Sequence, residues 1–146
     1  MSKSRSKRLQ PVCEFAAEKT QEAARQLGEC KARLEQQRQQ LRDLENYHRE
    51  YAAQISQAGS LSIERYQNMQ AFMLNLNKAI EHQQQIIARL EQEYESKKER
   101  WLQARNRGKA LDKVVEKYRE REREQAQRKL QRDLDDRAKL PQGGKD

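Results

Sequence analysis

Residues 57–62 read QAGSLS, the one place where an otherwise uninterrupted helical sequence stops. Gly59 stands there with two serines, a combination found nowhere else in the interior of the chain. Ser62, followed by Ile63 and Glu64, has the form of a helix start with an acid in its first turn. A turn over 58–61 is therefore expected, and the fold follows from what lies on either side of it.

On the N-terminal side, Leu27, Cys30, Leu34, Gln37, Leu41, Leu44, His48, Tyr51 and Ile55 alternate in steps of three and four, the signature of a heptad seam. Smaller residues at Ala23, Thr20, Ala16 and Cys13 carry it back toward Pro11, which a first helical turn tolerates. The spacing predicts helix 1 over 11–57, preceded by a basic, flexible segment at 1–10. On the other side the seam runs from Tyr66 through Met69, Met73, Leu76, Ile80, Gln83, Ile87, Leu90, Tyr94, Lys97, Trp101, Ala104, Gly108, Leu111 and Val115 to Tyr118. It predicts helix 2 over 62–140, with a disordered tail at 141–146. The fold class expected is all-α: two long helices in an antiparallel coiled-coil hairpin, helix 2 longer than helix 1. With the turn near Gly59, facing residues should have numbers that sum to roughly 119. Leu44 is then set near Leu76, Leu34 near Ile87, and Cys13 near Ala104 or Gly108, while Leu111 to Leu140 extends beyond the paired region as a frayed helix.

Composition agrees. Of 146 residues, 34% are hydrophobic and 37% charged, which starves a globular core, while Gly and Pro are scarce enough to favour helix over disorder. No apolar run approaches the ~18 residues a membrane span needs. The basic start MSKSRSKR has no hydrophobic stretch behind it and does not read as a secretory signal. The reading is a soluble, cytoplasmic protein. Cys13 and Cys30 fall on one helix roughly 25 Å apart, too far for a disulfide, and read as reduced seam residues.

No catalytic, cofactor or metal constellation is expected. The glycines are isolated, so no loop cradles phosphate, and His48 and His82 fall far apart in the hairpin. The formal net charge of +8 invites a nucleic-acid reading, but the basic run KYREREREQAQRKLQRDLDD interleaves acids, and the aromatics, Tyr118 included, lie in the seam or near the hairpin. The plain reading is a solvated helix end; beside it, contact with an acidic protein surface fits better than nucleic acid, with Arg119, Arg121, Arg123, Arg128 and Lys129 as contact residues, together with Lys3 to Arg8.

A second stripe runs beside the seam at the hairpin end. Gln40, Leu44, Tyr47 and Tyr51 repeat with four-three-four spacing on helix 1, and Phe72, Leu76, Ala79 and Gln83 do so on helix 2. That makes an apolar arc wider than a two-helix contact covers, and exposed aromatics of this kind mark interfaces. The competing readings are a wider seam, self-association through the same stripe, or a homodimer in which both helices form one continuous parallel coil.

NYHREY at 46–51, GSLSIERYQNMQAF at 59–72, LNLNKAIEHQ at 74–83 and SKKERWLQARNRGKALDKVVEKY at 96–118 together resemble the FliJ family of the bacterial flagellar export apparatus. The resemblance implies a non-enzymatic, antiparallel coiled-coil stalk similar to the rotary ATPase gamma subunit, monomeric when free. It implies that one end of the coil enters the ring of the hexameric export ATPase FliI. It also implies that the turn-proximal stripe, Gln40, Leu44, Tyr47, Tyr51, Phe72, Leu76, Ala79 and position 83, binds the cytoplasmic part of the gate protein FlhA. The family often carries His after AIEQ, whereas here AIEHQ places Gln83 on the stripe. Traffic of export chaperones, and a cytoplasmic location at the inner face of the membrane without insertion, complete what it implies.

Overall fold

A computed structural model describes residues 4–139, and the expected tail at 141–146, Leu140 and Lys3 lie outside the described residues. Two helices account for the chain: α1 (Arg5–Gln57, 53 residues) and α2 (Ile63–Lys139, 77 residues), with no strand among the described residues. They pack against each other as an antiparallel hairpin, which sets aside the continuous parallel coil. α1 closes with the Ala58 N–H on the Gln54 carbonyl. α2 opens on Ser62, whose hydroxyl accepts the Arg65 N–H at 3.3 Å, with Glu64 in the first turn complementing the helix dipole.

In amphipathic helices most of the stability comes from packing of the apolar face, here the seam. Contacts divide the chain into two units, Glu22–Leu102, and Met1–Gln21 with Gln103–Asp146. In the first, which contains the turn, the interior is built from Cys30, Leu34, Leu76, Gln83 and Ile87. The fully buried Cys30 thiol faces the Leu90 carbonyl, and both cysteines are free thiols. Arg33 pairs with Glu93 and Arg38 with Glu91 across the helices, exposed pairs worth at most ~1 kcal/mol each. Burying a Leu or Ile contributes about 1.5–3 kcal/mol, so the seam outweighs the ion pairs.

Gly28 lies within α1 of this unit, exposed, and a Cβ there would meet nothing within 4 Å. Gly28→Ala is therefore expected to raise stability by about 0.5–1 kcal/mol, read as a higher thermal midpoint.

In the second unit, Val115 and Ser6 are buried, and Thr20 Oγ1 lies 3.9 Å from where a Cβ on Gly108 would stand. Gly108 thus faces Thr20 and not Cys13, two helical turns from the sequence expectation. Every Cα–Cβ bond tilts toward its own helix's N-terminus, which raises the numbers of contacting residues by about one position on each helix and supplies part of this offset. The Arg38–Glu91 and Arg33–Glu93 pairs deviate in the same sense.

Three further expectations are corrected. α1 begins at Arg5, so 5–10 is helix and not a flexible segment, and Pro11 stands inside α1. The early start is made by Ser4, whose hydroxyl accepts the Lys7 N–H, and by Ser6, bonded to Glu122 of α2. Ser6 and Leu9 continue the three-four spacing of the seam back from Cys13, and both are shielded. Consequently Leu111, Val115, Tyr118 and Glu122 are shielded too, and the wholly exposed run of α2 starts at Arg123 and not at Leu111. Third, Tyr66 is 51% exposed rather than closing the seam, because only the last turn of α1 remains opposite it.

Candidate functional site

Within the unit that holds the turn, the two stripes meet. Phe72 projects from α2 beside the seam, and α1 brings two rings to it: Tyr51 at 4.4 Å between centroids and Tyr47 at 5.9 Å, both tilted. Such tilted geometry suits the ring quadrupoles and adds roughly 0.5–1.5 kcal/mol per pair. Leu76 beneath is buried, and Leu44 and Tyr51 are half-buried, so these anchor the cluster. Tyr47 stays 51% and Phe72 37% exposed, with Gln40 and Ala79 exposed alongside. The result is an aromatic ledge with a rigid floor and an open face.

Gln83 stands apart from the rest of the stripe. Its side chain is buried, and Nε2 donates to both the backbone carbonyl of Gln37 at 2.9 Å and the Gln37 Oε1 at 2.6 Å. Position 83 therefore serves the interior, and the open face of the ledge consists of Gln40, Tyr47, Phe72 and Ala79.

On the other flank of α2 lies a groove of about 680 Å³ with no charged residue in its lining, formed chiefly by Ile55, Tyr66, Met69, Met73 and Leu74. Leu74 is 57% exposed. Sequence reasoning did not single out this groove; Leu74, a large apolar residue outside both stripes, was the available signal.

In the unit formed by the helix ends, Arg119, Arg121, Arg123, Arg128 and Lys129 are all exposed. Arg121 lies over the Tyr118 ring at 5.9 Å, as Arg5 of α1 does at 5.7 Å, and Arg123 pairs with Glu116. Arg119 lies near the Glu122 carboxylate. Arg128 and Lys129 belong to the wholly exposed run, where α2 alternates charges of both signs with exposed Leu130 and Leu134.

Among the described residues no group of three or more His, Cys, Asp or Glu side chains could hold a metal ion, and no helix is long and apolar enough to cross a membrane. The chemistry on offer is that of contact: an aromatic ledge, an apolar groove and a basic helix.

Compared with family models, residues 5–141 match the one described as flagellar FliJ protein. The chain belongs to the FliJ family. No curated protein and no solved structure gives a match. As a FliJ-family member it is a flagellar export apparatus protein and interacts within that apparatus. The matched span contains both helices, so membership attaches to the whole hairpin and not to one segment.

Proposed function

We propose that this FliJ-family chain is a non-enzymatic coupling component of the flagellar type III export apparatus. In this reading the unit with the turn binds the cytoplasmic part of the gate protein FlhA through the aromatic ledge. The unit of helix ends engages the hexameric ATPase FliI through Arg119, Arg121, Arg123, Arg128 and Lys129. Export chaperone traffic is assisted by the same component, at the cytoplasmic face and without membrane insertion.

The observation that carries the reading is the ledge. Tyr47 and Phe72 hold large aromatic surface in the open although a buried position in the adjoining seam would favour it, and aromatic anchors on a rigid base are what interface hot spots are made of. The double variant Tyr47→Ala/Phe72→Ala is expected to weaken binding of the gate's cytoplasmic domain by about tenfold or more, with helicity by circular dichroism almost unchanged. Unchanged binding, measured by titration calorimetry, would dismiss the ledge as a gate contact; so would lost binding accompanied by lost helix. The ATPase half fails separately if neutralising the five cations leaves co-sedimentation with the ATPase and its hydrolysis rate as in the parent chain.

A further inference from the structure

The first turns of α1 carry Arg5, Lys7 and Arg8 and no acid, so their charges oppose the positive end of the helix dipole. Farther along, Pro11 has no N–H to give the Lys7 carbonyl, which interrupts the ladder that would tie this segment to the rest of α1. A short, wrongly charged helix start ahead of a proline should fray. It is nevertheless helical, and the cause is on the other helix. Glu122 of α2 takes the Ser6 N–H on Oε1 at 3.2 Å and the Ser6 hydroxyl on Oε2 at 2.7 Å. Ser4 and Ser6 hydroxyls lie 3.2 Å apart, joining the cap on the Lys7 N–H to the same network. Arg5 then lies across the Tyr118 ring.

We propose that residues 5–10 form a releasable strap on α2, with Glu122 as the latch: a carboxylate supplied by one helix that caps the N-terminus of the other. Pro11 is the joint about which the strap separates, and Tyr118 is the surface it covers. Because a single carboxylate holds both Ser6 donors, whatever takes that carboxylate, a proton or a cationic partner surface, releases the strap.

The charges around the latch agree. The Ser6 hydroxyl, then the Ser6 N–H, then the cations Arg119 and Lys7 hold the Glu122 carboxyl below its ordinary value of 4.5; Arg5 and Arg121 stand nearby on Tyr118. A carboxyl lowered in the folded chain stabilises it fully above its ordinary value and loses that contribution as pH falls through the folded value. The strap is therefore latched at neutral pH and released only in acid below 4.5.

Hydrogen exchange on the full chain at neutral pH tests this. Glu122→Ala is expected to speed amide exchange over residues 5–10 by about tenfold, the loss of a charge-assisted hydrogen bond, while exchange in 22–102 stays as it was. Ser6→Ala should give a smaller acceleration in the same peptide, and Glu120→Gln, two positions away, none. Unaltered exchange over 5–10 in Glu122→Ala, or equal acceleration in 22–102, overturns the latch. As a second readout, the Ser6 amide resonance should shift on acidification below pH 4.5 in the parent chain and stay in place in Glu122→Gln; a shift in both refutes the assignment.

Discussion

Ile87→Ala is expected to lower the free energy of unfolding by about 2–4 kcal/mol, a large effect for a single truncation in the unit that holds the turn. Ile87 is 7% exposed, in the same interior as Leu34 at 4%. A two-helix seam has only one such contact per layer. Truncation therefore removes transfer free energy and also leaves a gap, which the neighbouring side chains fill only in part. Urea unfolding should show a lower midpoint with an unchanged slope, since the surface exposed on unfolding is almost the same. A change below about 0.5 kcal/mol would mean that the seam does not carry this unit, because surface substitutions alone reach that size.

The second large effect is at Gln83, and it separates two roles by the choice of replacement. Gln83→Ala should cost about 1–3 kcal/mol, because the Gln37 amide oxygen loses its donor and a gap opens beside it. Gln83→Leu should leave stability within about 1 kcal/mol, or raise it, since a matched apolar residue needs no donor. Its cost is specificity. A polar pair at one layer of a coiled coil fixes register and partner number, and an all-apolar layer tolerates shifted and intermolecular pairings. Sedimentation should therefore detect self-association of Gln83→Leu at concentrations where the parent chain is monomeric. A monomeric, unchanged Gln83→Leu would mean that the Gln37–Gln83 pair sets no register.

These two residues also show how far sequence reasoning reached. Ile87 was legible because burial follows from period alone: an apolar residue in a three-four alternation has one direction to face. Gln83 satisfied two patterns at once, a polar break in the seam and the last member of the gate stripe, and period cannot choose between them. The coordinates choose, because a glutamine within reach of another across the seam satisfies its amide there. Phe72 was legible as surplus, and the sum of roughly 119 sets Tyr47 opposite it, as the structure has it. The closer contact, with Tyr51, depends on χ angles and was not legible. Residues 5–10 depart from the flexible segment expected of them for a related reason. Local signals at Pro11 and in the basic run argue for fraying, and the carboxylate that overrides them lies at Glu122, a hundred or so residues away in sequence.

By itself, then, the sequence determined the two helices, the turn at QAGSLS, the seam positions and the family, all properties of local chemistry and periodicity that need no partner to be defined. Only the tertiary structure decided what those facing residues do and which pairs depart from the turn-set register: the hydrogen bonds of Gln83 to Gln37, Tyr51 on Phe72, Thr20 with Gly108, Ser6 with Glu122. The physical reason is that a heptad repeat specifies a face and is nearly unchanged by sliding one helix along the other. Register is set by the few contacts whose shape or hydrogen bonding a slide would break.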